Sequence, residues 1–240
     1  ALAWLREHQD QDNGTWGDDC IRETATVIRA LTILNETGST YSAGLQFLEA
    51  ASPENTDYLS RKITALAGAD ITSDEEISYL ISLQNSDGGF GSSKGYPSSV
   101  VDSLLAAEAL HAAGIQDKEV VGKLLYYLTQ RQKENGGFSF TDDADENLYL
   151  TAYAIPVLNS YQPQYNLSSY ISKSSGFVMC FRHMDGGFGE GDSNITETAL
   201  CIKALSITGG NSTEIFRARQ FLLAGQQPDG CWDSDPNATA

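Results

Sequence analysis

The strongest constraint on this chain is that it repeats itself. An apolar or aromatic pair is followed by a Gln, a glycine turn and an aromatic residue. The phrase runs Trp4-Leu5, Gln9, Gly14-Thr15-Trp16, and returns as Tyr79-Leu80, Gln84, Gly88-Gly89-Phe90. It recurs as Tyr127-Leu128, Gln132, Gly136-Gly137-Phe138, and closes as Phe221-Leu222, Gln226, Gly230-Cys231-Trp232. A degraded copy ends at Phe188, with Arg182 in the Gln position. Phe90, Phe138, Phe188 and Trp232 are spaced by 48, 50 and 44 residues, and the 74 residues from Trp16 to Phe90 fit two shortened periods. A fixed period of this length means stacked supersecondary units sharing one core.

Each period reads as two helices. Val120, Val121, Leu124, Leu125 and Leu128 draw an apolar stripe on the helix entering a turn. The helix leaving it is richer in Ala, Leu and Thr, as expected of a helix with neighbours on several sides. Gly-Gly ends the first helix because glycine tolerates the left-handed backbone. A second phrase follows each turn: Glu23-Thr24-Ala25, Tyr58-Leu59, Asp102-Ser103, Asn147-Leu148 and Glu197-Thr198-Ala199. A last copy begins at Ala238-Thr239-Ala240, so the expected count is eleven helices and the start of a twelfth.

The Gln-to-aromatic phrase resembles the QW motif of prenyltransferase and squalene-oxidase repeats. The resemblance covers nearly the whole chain. It implies an all-α fold, the (α/α)6 toroid of the terpenoid cyclase and protein prenyltransferase superfamily. Residues 1–240 would form one domain of six hairpins ending inside its last inner helix. Gln9, Gln84, Gln132 and Gln226 would then satisfy backbone groups at helix ends. Trp16, Phe90, Phe138, Phe188 and Trp232 would pack between repeats.

Fold alone assigns no activity. A protein prenyltransferase of this superfamily would need a zinc site of Asp, Cys and His on inner helices; no Asp-x-Cys pair exists here. A thioester domain would need a Gln close after a Cys, which Cys20, Cys180, Cys201 and Cys231 all lack. Those four are expected to be free thiols, with a Cys20–Cys231 bridge as the alternative. A class II terpene cyclase protonates an alkene with an Asp of a DxDD motif. Aligning Asn147 with the motif's last Asp leaves Asp143, Asp145 and Glu146 one residue out of register. These three are the weak candidates for an acid, and Asp143 and Asp145 for a metal.

One register position of the inner helices stays polar, at Arg29, Thr64, Glu108, Tyr153 and Lys203. Its place in a ring is the central hole. Glu23, Tyr58, Asp102, Asn147 and Glu197 would circle one mouth. These lumen and mouth residues are the candidate ligand-binding set. A polar lumen suits a carbocation poorly. The net charge of −17 excludes a nucleic-acid partner, and no apolar run is long enough to span a membrane.

The expectation is therefore a non-catalytic module of a surface or secreted protein, binding an unidentified protein or small molecule or serving as a scaffold. It requires no cofactor, and the chain would be monomeric or part of a larger multidomain protein. The alternative is a class II terpene or squalene cyclase-like enzyme lacking its second domain, and after it a cobalamin-carrier-like domain. Sequon triplets, among them Asn13-Gly14-Thr15 and Asn211-Ser212-Thr213, permit glycosylation without showing it.

Overall fold

A computed structural model describes residues 1–209 and 212–240; Asn211 of the sequon at 211–213 lies outside the described residues. The helices alternate as hairpins. α1 (Leu2–Glu7) precedes α2 (Cys20–Ile33), α3 (Ser39–Ala50) precedes α4 (Thr56–Gly68), and α5 (Asp74–Ser82) precedes α6 (Val100–Ala112). α7 (Lys118–Arg131) then pairs with α8 (Leu148–Ser160), α9 (Ser168–Met179) with α10 (Ile195–Ile207), and α11 (Ser212–Gly225) with α12 (Pro236–Thr239). Among the described residues there is no strand, only isolated bridges across the turns, such as Gln84 with Phe90.

The even-numbered helices form the inner ring. α2 packs on α4, α4 on α6, α6 on α8 and α8 on α10, while α12 returns to α2. The odd-numbered helices lie outside them. Inner helices begin with side-chain caps: Asp19, Asn55, Ser99, Asn147, Asn194 and Asp235 each accept a backbone N–H of the first turn. All these helix starts face one mouth.

The repeat phrase has a concrete job. Gln84 Nε2 donates to Gly88 O at 2.9 Å and to Val120 O on the next outer helix at 3.0 Å. Gln132 does the same with Gly136 O and Tyr170 O, and Gln9 with Gly14 O and Thr40 O. One amide thus ties a turn to its neighbour. Gly136 has φ +92° and lies so close to Lys173 that a Cβ would overlap the Lys173 carbonyl. Trp16, Phe90, Phe138 and Phe188 are fully buried.

A hydroxyl locks each aromatic to the inner helix that follows. The N–H groups of Trp16, Phe90, Phe138, Phe188 and Trp232 donate to the hydroxyls of Thr24, Ser103, Thr151, Thr198 and Thr239 at 2.9–3.2 Å. Ser60 stands five residues after its cap Asn55, as Thr24 stands five after Asp19. The glycine turn is missing there, and the buried Ser60 hydroxyl has no partner.

These hydroxyls correct the sequence register in the fourth hairpin. Thr151, not Leu148, corresponds to Thr24, so Asn147 is a helix cap rather than the counterpart of Glu23. The four cysteines are free, with Cys201 and Cys231 buried and Cys180 exposed; there is no Cys20–Cys231 bridge.

Candidate functional site

The lumen brings four of the expected polar residues together. The Arg29 guanidinium on α2 grips Glu108 on α6 with two bonds, 2.5 and 3.2 Å long. The Tyr153 hydroxyl on α8 donates to the same carboxylate at 2.5 Å. Lys203 on α10 lies within electrostatic reach of both charges. Burial pushes the Glu108 carboxyl up, but Arg29, Tyr153 and Lys203 outweigh it and hold it below its usual value. Burial and the adjacent Glu108 charge drive the Tyr153 phenol well above its ordinary value. Tyr153 reaches the lumen despite the register correction because the slip is three residues, close to one helical turn, which keeps the face and shifts only the depth. Thr64 does not join: its hydroxyl donates back to Ser60 O within α4.

Towards the mouth the polar residues spread out. Tyr58 donates to Asp19 Oδ2 at 3.1 Å. Asp57 pairs with Arg61 in the helix and with Arg22 on α2. The Asn147 side-chain amide donates to Glu190, and Asn194 to Glu197. Asp102 accepts from the Ser99 hydroxyl at 2.6 Å; burial, with Asp57 nearby, still raises its pKa.

Glu23 stands apart. Its Oε2 is buried and has no hydrogen-bond partner. Its carboxyl packs against Gly17, where a Cβ would clash with it. Burial raises its pKa first, and the carboxylates of Asp235, Asp19 and Asp18 raise it further. Asp235 caps α12, so this cluster sits at the seam where α12 meets α2.

The acidic loop is placed elsewhere. Asp143 and Asp145 are exposed and Glu146 is half-buried, with its aliphatic carbons over Gly137. Arg131 at the end of α7 holds Asp142 at 2.5 Å, and Lys133 donates to the Asp142 carbonyl, drawing the loop toward the outer helix. With Thr151 as anchor, the DxDD register falls on Asn147-Leu148-Tyr149-Leu150, so Asp143, Asp145 and Glu146 all precede it. No group of three or more potential metal ligands occurs among the described residues.

Two features escaped the sequence. Arg182, in the position of the clamp Gln, ion-pairs at 2.9 Å with Glu214 on α11, which is buried. Glu214 lies three residues before Arg217, as Val120 lies before Lys123, so a charge pair replaces an amide clamp. Lys62 is buried and held by Glu76 and the carbonyls of Glu49 and Ala51. Both signals were in the sequence as charges at core positions, but their charged partners, Glu214 and Glu76, come from the next hairpin.

The sequence matches the prenyltransferase alpha-alpha toroid domain family over residues 2–140 and 56–232. The chain belongs to this family. It is 28% identical over 207 residues to drimenyl diphosphate synthase of Streptantibioticus cattleyicolor, covering 80% of this toroid and 35% of that protein. The toroid thus spans about a third of the length of the curated relatives it matches. Its fold superposes on ent-copalyl diphosphate synthase from Streptomyces platensis with a TM-score of 0.72 at 20% identity, covering 91% of this chain and 48% of that one. The type II terpene cyclase MstE from Scytonema gives 0.76 at 16% identity, with 96% and 79% covered. At these identities the two structures speak to the fold.

The expectation of a non-catalytic binding or scaffold module does not stand. The curated relatives are drimenyl diphosphate synthases, and the structural neighbours include a type II terpene cyclase.

Proposed function

We propose that this toroid serves a class II terpene cyclase-type enzyme, in the proton-initiated cyclisation of a polyprenyl substrate. The likeness to drimenyl diphosphate synthase over four fifths of the chain carries this reading. The local chemistry supports it at one place. Protonating an alkene requires a carboxyl that keeps its proton near neutral pH. Of the carboxyls at the mouth, Glu23 fits best: one oxygen is buried and unpartnered, and three neighbouring carboxylates oppose its ionisation.

In this reading Glu23 gives its proton to a terminal alkene carbon and is left as a carboxylate. The cation is drawn through the ring-closing carbons and is quenched by proton loss to a base. Asp18, Asp19 and Asp235 would then favour the positive charge that their presence helped to create. The Arg29–Glu108–Tyr153 bridge bars a hydrocarbon from the deeper lumen, since a dry apolar chain would strip these groups of water. The substrate's place is therefore the upper mouth and whatever covers it.

The test is product analysis of the full-length protein with prenyl diphosphates of increasing length. A cyclised product is expected, lost in Glu23→Gln and kept in Glu146→Gln. Undiminished turnover by Glu23→Gln would remove Glu23 as the donor. Absence of any cyclised product from the unaltered protein would remove the cyclase reading itself.

A further inference from the structure

We propose that the end of the ring opposite the mouth carries a small-molecule site for a flat, ring-bearing carboxylate, set between α6, α7 and α8. A cleft of about 370 Å3 opens there, where α6 ends, the 113–117 loop turns and α7 begins. That volume lies within the range of small-molecule pockets, roughly 300–1,000 Å3. Its floor is apolar: Val121 and Tyr161 are buried, and Ile115 and Tyr165 are half-buried. His111 stands edge-on to Tyr161 with ring centroids 5.3 Å apart, and Tyr165 does the same at 6.5 Å. The interplanar angles of 67° and 75° bring ring faces and ring edges into one small cleft, the two surfaces an aromatic guest packs against. The Tyr161 hydroxyl donates to Ala107 O at 2.7 Å, so α6 holds this wall in place without a ligand.

The rim selects the head group. His111, Gln116, Lys118 and Gln164 form it, and no carboxylate lines the cleft. That sets it apart in a chain with 32 acidic residues: Asp87 and Asp142 line one larger cleft, and Asp185 lines another. The acids beside Lys118 in sequence are engaged elsewhere. Asp117 accepts the Glu119 and Val120 N–H groups at the start of α7, and Glu119 pairs with Lys123 at 2.7 Å. The side chains of Gln116, Lys118 and Gln164 have no hydrogen bond among the described residues. Donors and a positive charge above an apolar floor suit a guest with an apolar body and an anionic oxygen head. Fixed ring walls favour a rigid body, which loses little conformational freedom on binding.

The cleft lies at the opposite end of the ring from Glu23, so this inference and the cyclase reading can fail separately. The experiment is calorimetric titration of the protein with 2-naphthoate, 2-naphthylmethanol and decanoate. Saturable binding of 2-naphthoate is expected, with the alcohol and the flexible acid at least tenfold weaker. Tyr165→Ala, which removes a wall, and Gln164→Trp, which fills the exposed rim, should each weaken naphthoate at least tenfold. Lys118→Met should weaken it several-fold, and Lys94→Met, in a loop on the mouth side, should leave it unchanged. Equal affinity for decanoate would overturn the ring-bearing class of guest, and equal affinity for the alcohol would overturn the anionic head. Lack of saturable naphthoate binding, or unaltered affinity in Gln164→Trp with circular dichroism intact, would overturn the site itself.

Discussion

The backbone N–H of Phe138 donates to the Thr151 hydroxyl at 2.9 Å, and this bond fixes which residues of α8 look into the lumen. It sets the helix depth against the turn. It therefore places Tyr153 beside Glu108 and leaves the Asp142–Glu146 loop outside.

Thr151→Val keeps the shape of the side chain and removes the acceptor. The Phe138 N–H is then buried without a partner, which costs about 1–3 kcal/mol. Chemical denaturation should show that loss with an unchanged far-UV spectrum. Ser60→Ala, where the hydroxyl has no partner, should cost far less.

Gly136→Ala and Gly176→Ala should act in opposite directions. At Gly136 the positive φ and the Lys173 carbonyl both oppose a side chain, so Tm falls. Gly176 lies inside α9 with open space where a Cβ would go. Alanine there should stabilise by about 0.5–1 kcal/mol through helix propensity.

The Arg29–Glu108 bridge predicts strong non-additivity. Arg29→Met leaves the Glu108 carboxylate in the ring without its cation and should lower Tm more than the Arg29→Met/Glu108→Met pair does. A double-mutant cycle should report coupling on the order of 0.5–3 kcal/mol.

Stability should rise as the pH falls from neutral toward the carboxylate range. Burial and neighbouring carboxylates raise the Glu23 pKa, and burial raises that of Asp102. A carboxyl with a raised folded-state pKa binds its proton more tightly when folded. Its contribution is full below the unfolded pKa and fades as pH rises through the folded one. Glu23→Gln should flatten part of that slope in a Tm-against-pH series. Glu108 is held low, so its contribution is lost only on stronger acidification, as pH drops through its folded pKa.

The sequence by itself determined the ring. Periodic Gln, glycine and aromatic residues act within one turn and its neighbour, and such local devices are legible because their partners recur at fixed spacing. It also placed Arg29, Glu108 and Lys203 on one face, since each lies five residues after the hydroxyl that locks its own hairpin. The tertiary structure decided what a one-dimensional pattern cannot hold. Leu148 and Thr151 compete for the same place in the phrase, and only the bond to Phe138 chooses between them. The carboxyls around Glu23 come from α2, its preceding loop and the start of α12, more than 200 residues away. Proton affinity depends on distance and burial in space, so Glu23 of the second repeat phrase became the candidate acid, and a conspicuous acidic run did not.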